Sequence, residues 1–352
     1  MTLLDQLALQ INANGPITIA TYMQECLLNP DYGYYTTRSP FGATGDFVTA
    51  PEISQMFGEL IGLSIAQSWL DRGSPAPFAL VELGPGLGTL MSDVLRACQK
   101  VPGFLDAAHV HLIEASSALK NAQAERLPGV DLTWHASFET VPDMPLFLIA
   151  NEFFDALPIR QFVRDGSGWR ERQIGWADGT LHFGLAQRHP QPALNDRLED
   201  TRDGDLVEDC PALAPLVHKI GARIQHFGGV ALIIDYGDWR SLGDTFQALS
   251  DHKKCDPLQA PGEADLTAHV DFEKIARAAA CAHTRLTPQG VFLERLGITA
   301  RAQALATRLA GSAQETHIAA HRRLTHPEEM GTLFKVLGLY DDSFPAPPGL
   351  DP

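Results

Sequence analysis

The 352-residue sequence lacks an excess of positive charge, because 43 Asp and Glu residues outnumber 27 Lys and Arg residues and give a formal net charge of −16. Nucleic-acid binders hold phosphates mainly through Lys and Arg. The acidic balance therefore argues against a nucleic-acid partner, although it is compatible with a local basic groove. With 45% hydrophobic residues, the chain has the composition of a globular protein with one large core, or a core with an insertion.

Cysteine is scarce and irregularly spaced. The five cysteines, Cys26, Cys98, Cys210, Cys255 and Cys281, are odd in number and form no C-x-x-C pair. This pattern indicates neither a disulfide framework nor a zinc site. We therefore predict reduced thiols and no bound metal.

Long apolar runs and targeting features are also missing. No apolar run approaches the roughly 18 residues that a membrane span needs. The N-terminal stretch has no basic start and carries Asp5 within its apolar part, which fits neither a secretory signal nor an Arg-rich transit peptide. We therefore expect a cytoplasmic protein without a membrane span.

Short apolar stretches alternate with helical periodicity in the first half of the chain. The predicted elements are strands at 78–83, 109–114, 132–135, 145–151 and 230–237, and helices at 88–100 and 116–126. Strand–helix–strand order predicts an α/β fold with a mostly parallel sheet, right-handed crossovers and helices on both faces.

The rest of the chain is divided around this core. The predicted parts are an N-terminal helical and loop extension (1–75), the core (76–160 and 228–295), an inserted β-hairpin and helix region (161–227) and a C-terminal helical extension (296–352). Alternating polar and apolar residues at 158–187 predict the inserted strands. Residues 188–210 are polar and proline-containing and predict a surface loop. We expect the tail to be mostly helical from 297 to 337.

The stretch VELGPGLGTL places Gly84, Gly86 and Gly88 between a predicted strand and a predicted helix. Glycines let the backbone turn tightly and let a ligand approach, and a helix N-terminus offers N–H groups to it. The dinucleotide fingerprint G-x-G-x-x-G requires a glycine where this chain has Thr89, so a nicotinamide dinucleotide is disfavoured. Glu82, just before the glycines, instead suits a ligand with a cationic amino-acid end, such as S-adenosylmethionine.

A second acidic residue follows the next predicted strand. Glu114 ends HLIE, where a carboxylate can reach the ribose hydroxyls of a nucleoside. Its distance from the glycines exceeds the roughly 20 residues that are usual, and the stretch KVPGFLDAAH explains the excess as a loop extension. The alternative is that Glu114 is a solvated strand end or a helix cap ahead of Ser116 and Ser117.

A third signal lies at the end of the fourth predicted strand, where open parallel sheets place reacting groups. The stretch NEFFD contains Glu152 and Asp155, which share a face if the segment begins a helix. A pair of carboxylates would give a guanidinium a bidentate grip. The alternative is an acidic helix start with Asn151 as its cap.

Other polar residues are weaker candidates. Asp235 follows the strand at 230–237 and is either catalytic or part of a turn. Asp46, in the GATGDF stretch, either forms part of a lid over the ligand or ends a turn. His269 and Asp271 suggest an edge of the site, and a helix N-cap is the alternative for Asp271.

Several long strings resemble the MidA family of S-adenosylmethionine-dependent methyltransferases. They are GDFVTAPEISQMFGELIG (45–62), ELGPGLGTLMSDVLR (82–96), NEFFDALPIRQF (151–162), ALIIDYG (231–237), PGEADLTAHVDF (261–272) and MGTLFKVL (330–337). The resemblance runs over almost the whole chain and implies a class I, Rossmann-like methyltransferase fold with S-adenosylmethionine as cofactor. The family includes a mitochondrial complex I assembly factor that methylates an arginine. An arginine-bearing protein substrate and a link to respiratory complex assembly are therefore implied.

These signals give two sets of candidate residues. The catalytic candidates are Glu152, Asp155 and Asp235, and the cofactor-binding candidates are Asp46, Glu82, Gly84, Gly86, Gly88, Glu114 and Asn151. Two other functions stay open, a client-binding assembly factor that uses the fold only as a scaffold and a nicotinamide-dependent oxidoreductase. The oligomeric state stays open between monomer and homodimer.

Overall fold

The computed structural model describes residues 1–37, 49–250 and 252–352. Asp46, which we predicted to bind the cofactor, lies outside the described residues. Within those ranges, no helix combines the length and the apolar character that crossing a bilayer requires.

Helices and strands alternate along most of the described chain. The α-helices are α1 (Leu3–Asn14), α2 (Ile19–Leu28), α3 (Tyr34–Thr37), α4 (Ala50–Ile53), α5 (Gln55–Asp71), α6 (Thr89–Cys98), α7 (Phe104–Ala107), α8 (Ser117–Arg126), α9 (Leu213–Phe227), α10 (Phe272–Ala278), α11 (Gln289–Arg295), α12 (Ile298–Ala306), α13 (Ser312–Thr325) and α14 (Met330–Leu333). The strands are β1 (Ile17–Thr18), β2 (Phe78–Leu83), β3 (Ala108–Ile113), β4 (Leu132–His135), β5 (Leu146–Asn151), β6 (Arg160–Asp165), β7 (Gly168–Ala177), β8 (Thr180–His189), β9 (Leu206–Asp209), β10 (Gly229–Asp238), β11 (Gln247–Ser250), β12 (Lys253–Cys255), β13 (Asp265–Thr267), β14 (Val270–Asp271), β15 (Ala282–His283), β16 (Thr287–Pro288) and β17 (Phe334–Tyr340). Short 3-10 helices occur at Phe138–Thr140 and Pro192–Leu198.

The central sheet has the strand order β15-β17-β10-β5-β2-β3-β4. Neighbouring strands from β10 to β4 are parallel, whereas β17 runs antiparallel to β10. The chain continues from β2 to β3 on one side and later forms β5 on the other, so the strand order reverses between β2 and β5. Open α/β sheets bind ligands at such a point, beyond the carboxyl ends of the strands. The mostly parallel α/β sheet that we predicted is confirmed.

Helices cover both faces of the central sheet. Every residue of β2 and β5 is buried, which explains why both strands are continuous apolar runs. One face packs against α5 and α6, which contribute Phe57 and Met91 to the core. The opposite face packs against α9 and α10, which contribute Ile220 and Ile275. A ligand can therefore reach these two strands only at their ends.

A second sheet contains the insertion and has the order β1-β7-β6-β9, with β8 pairing with β7. Strands β6 to β8 confirm the predicted alternation, and β9 lies in a segment that we predicted as a surface loop. Strand β1 comes from the N-terminal extension and pairs with β7 at Ile17 and Ile174. Leu7, Tyr22 and Ile174 share one hydrophobic core. The N-terminal extension and the insertion therefore pack together.

The end of the chain differs from its prediction. We expected mostly helix from 297 to 337, and α12 and α13 confirm part of this expectation. The prediction was wrong for β17, which pairs with β10 from Phe334 to Tyr340. The strand is buried except for the partly exposed Lys335. A short apolar run buried on both faces has no period that distinguishes strand from helix.

A small sheet of order β12-β11-β13 separates two parts of the segment that we assigned to the core. Strand β11 pairs antiparallel with both β12 and β13. Gln247, Leu249 and Asp265 of this sheet line the cavity at the ends of the central strands. The small sheet therefore forms one wall of the candidate site.

Candidate active site

A cavity of about 820 Å³ lies at the carboxyl ends of β2, β3 and β5. Its wall includes the residues that follow these three strands, together with parts of α2, α3 and the small sheet. Small-molecule sites have volumes of roughly 300–1,000 Å³. The cavity therefore has the size and the position, at the reversal of strand order, of a ligand site in an open α/β sheet.

The three glycines of the predicted ligand loop all adopt left-handed backbone conformations. The φ angles are +61° at Gly84, +52° at Gly86 and +78° at Gly88, which precedes the first turn of α6. Residues with a Cβ rarely adopt these angles. A Cβ at Gly84 would also lie 3.0 Å from Cδ2 of Phe153. The glycine loop and the turn after β5 therefore touch, so two separate sequence motifs meet in one site.

Glu82, at the end of β2, presents a buried carboxylate to the cavity. Glu82 is 3% exposed, and its Oε2 has no hydrogen-bond partner among the described residues. Burial raises the pKa of Glu82 to about 8. The charge of Glu114 also raises this pKa, whereas a hydrogen bond from the Met91 backbone amide lowers it. A buried carboxylate without a partner is unfavourable unless a cation or donor approaches it. This unpaired oxygen fits the cationic end of the ligand predicted from the sequence.

Glu114 also lines the cavity, and its carboxylate is held from two sides. Oε1 accepts a hydrogen bond from the Ser116 backbone amide at 2.8 Å, and Oε2 accepts one from Nε2 of Gln123 at 3.1 Å. Burial raises the pKa of Glu114, and these hydrogen bonds oppose the rise. The helix cap itself is Ser116, whose hydroxyl accepts from the Leu119 amide. Glu114 thus combines contact with the start of α8 and a place in the cavity wall.

Gln123 was not predicted, although it connects the two predicted halves of the cofactor site. Its side chain is fully buried, and Nε2 donates to the Gly86 carbonyl at 2.8 Å as well as to Glu114. Oε1 accepts from the Trp134 indole N–H at 2.8 Å. A glutamine within the polar helix sequence SALKNAQAER gives no signal of burial, so sequence reasoning had no means to identify it.

The segment NEFFD forms a turn, so the alternative of an acidic helix start does not hold. Glu152 has φ of +51°, and Asn151 ends β5 instead of capping a helix. Oδ2 of Asp235 accepts from the amides of Phe153, Phe154 and Asp155 at 3.2, 2.9 and 3.3 Å. Asp235, on β10, thus accepts the three hydrogen bonds that fix this turn.

Asp235 lies behind the site. It is fully buried and is not among the residues that line the cavity. Its Oδ1 accepts from the Tyr236 amide at 2.9 Å, so both oxygens bond to the backbone. Burial raises the pKa of Asp235, and the nearby charges of Asp155 and Glu152 raise it further. Asp235 therefore holds the turn that carries Glu152 and Asp155, and it does not face the cavity, where a direct catalytic role would require it.

Glu152 and Asp155 both line the cavity, as the sequence predicted, although a turn and not a helix brings them together. Oε1 of Glu152 accepts from the Ala50 amide and from Nδ2 of Asn151, both at 3.2 Å. Burial raises the pKa of Glu152 to about 7. Burial and the charge of Glu152 raise the pKa of Asp155 as well. The charge of Glu152 therefore opposes the ionisation of Asp155.

One oxygen of this carboxylate pair and one of the neighbouring Asn151 are unpaired within the described residues. Oδ1 of Asp155 and Oδ1 of Asn151 are buried without a hydrogen-bond partner in the part of the chain that the structure describes. Asn151 also lines the cavity, consistent with its predicted place at a ligand. Buried polar atoms are nearly always hydrogen-bonded, so such a cluster indicates a site that binds a polar ligand.

The string PGEADLTAHVDF contributes more to the cavity than we predicted. His269 lines it, whereas the side chain of Asp271 caps α10 by accepting from the Lys274 amide, which confirms the alternative for Asp271. Asp265 and Thr267 also line the cavity and were not selected from the sequence. Their spacing of two residues, which places both on one face of a strand, was the available signal.

The chain is similar to known methyltransferases over most of its length. Residues 60–291 match the family model Methyltransf_28, which describes S-adenosyl-L-methionine-dependent methyltransferases. The sequence is 38% identical to the mitochondrial protein arginine methyltransferase NDUFAF7 of Danio rerio, across 95% of this chain and 86% of that protein. It is 36% identical to the protein of the same name from Homo sapiens, across 96% of this chain and 83% of that protein. A crystal structure of a protein from Burkholderia thailandensis with S-adenosyl-homocysteine bound has a TM-score of 0.82 and 26% identity, and the alignment covers 99% of this chain and 92% of that one.

Proposed function

The chain belongs to the MidA family of S-adenosylmethionine-dependent methyltransferases, and from this premise we propose that it methylates an arginine side chain of a protein substrate. The class I methyltransferase fold expected from the sequence is confirmed. The relatives from Danio rerio and Homo sapiens are named protein arginine methyltransferases. The observation that carries the arginine proposal is the pair of carboxylates in the wall of the cavity, the half-buried Glu152 and the buried Asp155, whose Oδ1 is unpaired among the described residues.

The residues at the ends of β2 and β3 fit the methyl donor. The unpaired Oε2 of Glu82 suits the ammonium group of the donor, and Glu114 suits its ribose hydroxyls. Gly84 and Gly86 line the cavity, where a backbone without side chains lets a ligand approach closely. When bound, the donor supplies an electrophilic methyl group on a positively charged sulfur.

The carboxylate pair fits the acceptor. A guanidinium stays protonated because its pKa is above about 12, so it enters as a cation. Glu152 and Asp155, once ionised, orient it through charge-assisted hydrogen bonds and offset the burial of its charge. Methyl transfer forms an N–C bond, breaks the S–C bond and releases one proton from the acceptor nitrogen. A carboxylate with a pKa near 7 can accept that proton and pass it to solvent.

Labelling of a lysate tests the proposed function. The protein is incubated with S-adenosylmethionine carrying a labelled methyl group and with a lysate from a strain that lacks the protein. We expect labelled methylarginine after hydrolysis, and mass spectrometry then identifies the acceptor, including whether it is the respiratory-complex subunit that the family resemblance implies. Label on another residue type would overturn the arginine assignment.

Ligand binding separates this proposal from the two alternatives. Calorimetry with S-adenosylmethionine, S-adenosylhomocysteine and NAD should show binding of the first two compounds only. Binding of neither sulfur compound would favour a client-binding scaffold. Binding of NAD alone would favour the oxidoreductase.

The rate of methyl transfer should rise with pH. Because burial raises the pKa of Glu152 to about 7, the acid is largely neutral below that pH and binds a guanidinium only when ionised. We expect kcat/KM for the acceptor, measured at saturating donor, to increase between about pH 6 and pH 8 and then level off. In Glu152→Gln, Asp155 no longer has a negative charge beside it, so its pKa falls. The remaining rise in kcat/KM should therefore move to lower pH. A profile that is flat or falls over this range would contradict the role of the pair.

Glu114→Ala should weaken the binding of S-adenosylmethionine by about 1–3 kcal/mol, the range for hydrogen bonds to a charged group. The substitution removes the carboxylate from the cavity wall and one partner of Gln123. Calorimetry measures the affinity, and Glu125→Ala on the exposed side of α8 is the matched control. Wild-type affinity in Glu114→Ala would leave Glu114 with only its contact to the start of α8.

We propose the cytoplasm as the location of the protein, as expected from its thiols. Cys26 and Cys98 are buried free thiols, consistent with a reducing compartment. The relatives from Danio rerio and Homo sapiens are named as mitochondrial proteins. Cell fractionation tests the location, and light scattering after size exclusion distinguishes the monomer from the homodimer.

A further inference from the structure

The cavity contains a third carboxylate that the pair of Glu152 and Asp155 does not include. Asp265, on β13, is 5% exposed and lines the same cavity. Thr267 lies two residues further along the strand and also lines the cavity. Leu266, between them, packs into the core under the second sheet. The alternation of β13 therefore directs Asp265 and Thr267 towards the ligand space and Leu266 away from it.

The three carboxylates lie close enough to influence one another. Burial is the largest cause that raises the pKa of Glu152, and the charge of Asp265 raises it further. Burial also raises the pKa of Tyr35, and the charges of Asp265 and Asp155 add to that rise. Placing three acidic groups in one cavity is unfavourable unless protons or a cation neutralise them. The arrangement therefore indicates a cationic ligand.

Two unpaired polar atoms independently indicate a ligand at this place. Asp155 is 6% exposed and Thr267 is 3% exposed, and both residues line the cavity. Oδ1 of Asp155 and Oγ1 of Thr267 have no hydrogen-bond partner among the described residues. One atom follows β5 and the other lies on β13, so hydrogen-bonding capacity is available on two elements of the wall.

Tyr35, on α3, holds the third carboxylate. Its hydroxyl donates a hydrogen bond to Oδ1 of Asp265 at 2.7 Å. The ring packs edge-on against the fully buried Tyr34, with ring centres 5.3 Å apart. A phenol anchored in this way limits the rotation of the carboxylate and leaves it presented to the cavity.

We propose that Asp265 is an acceptor-binding residue and that Tyr35 is its positioning residue, an inference that rests on the proposed arginine methyltransferase function. The acceptor cation is bound by the turn after β5 and by β13 together. A guanidinium presents five N–H donors in a planar fork and can bond to both elements at once, whereas a lysine ammonium has three donors on one atom. The two-element arrangement therefore selects a guanidinium as the acceptor group.

The test compares Asp265→Asn, Tyr35→Phe and the wild type in the lysate labelling reaction. We expect Asp265→Asn to lower methylarginine formation about 10- to 100-fold at low lysate concentration, with part of the loss recovered at high concentration because acceptor binding is weakened. Tyr35→Phe should act in the same direction with a smaller effect. Calorimetry should show unchanged affinity for S-adenosylmethionine in both variants. Asp256→Asn removes the same charge from an exposed position near the small sheet and should leave the rate unchanged.

Each outcome bears on a different claim. No methylarginine from the wild type would overturn the proposed function, and this inference would fail with it. Methylarginine from the wild type with an undiminished rate in Asp265→Asn would overturn only the role of Asp265. A loss of donor affinity that matches the loss of rate would place Asp265 on the donor. If Asp265→Asn does not fold, a wild-type apparent acceptor KM in Tyr35→Phe overturns the inference.

Discussion

Glu152→Gln is expected to lower the rate of methyl transfer about 10²-fold or more while the affinity for S-adenosylmethionine stays near the wild-type value. The amide keeps the shape of the side chain, and its oxygen can still accept from the Ala50 amide and from Asn151. It cannot carry the negative charge that orients the acceptor cation or accept the proton that the acceptor releases. Steady-state rates and calorimetry with the donor provide the two measurements.

Asp155→Asn should lower the rate in the same direction by an equal or smaller factor. Because the charge of Glu152 raises the pKa of Asp155 and both residues serve one step in the proposal, the double variant should lose less than the sum of the two single losses in activation free energy. Additive losses would show that the two carboxylates act on separate steps.

The control for the pair is Glu125→Gln, which makes the same chemical change on the exposed side of α8. Parallel loss of donor affinity and rate in Glu152→Gln would place this carboxylate on the methyl donor. Full activity in both Glu152→Gln and Asp155→Asn would exclude the carboxylate grip, and the acceptor site would have to be sought among the other acidic residues.

The central strands and the glycine loop could be predicted because their causes are local. Strands β2 and β5 are apolar runs buried on both faces, and glycine adopts the backbone angles at positions 84, 86 and 88 more readily than any other residue. Glu82 and Glu114 were found because they follow strands of a parallel sheet, whose carboxyl ends meet at one edge.

The parts that could not be predicted depend on contacts between distant segments. The turn at Glu152 is fixed by Asp235, about eighty residues further along the chain, and the local pattern of acidic residues left a helix start open as an alternative. Gln123 gains its role only when α8 packs beside the glycine loop. Asp265 enters the site because β13 pairs with β11, and its spacing of two residues from Thr267 was the one local signal of this placement.

Gly86→Val is expected to abolish the binding of S-adenosylmethionine in a protein that still folds. Gly86 lines the cavity and has φ of +52°, an angle that is strained for a β-branched residue by about 1–3 kcal/mol. The new side chain would take space in the cavity that the amino-acid end of the donor needs. Any relaxation of the loop would also disturb the hydrogen bond from Gln123 to the Gly86 carbonyl. Calorimetry measures binding, and circular dichroism checks the fold.

Gly129→Val separates the strain from the loss of ligand space. Gly129 has φ of +78°, and a Cβ there would meet no atom within 4 Å. This variant therefore carries comparable backbone strain outside the cavity wall, and it should be destabilised yet bind the donor with wild-type affinity. If Gly129→Val also loses the donor, general destabilisation explains both results. If folded Gly86→Val binds the donor as the wild type does, the glycine loop does not hold it, and the unpaired carboxylate oxygen of Glu82 needs another partner.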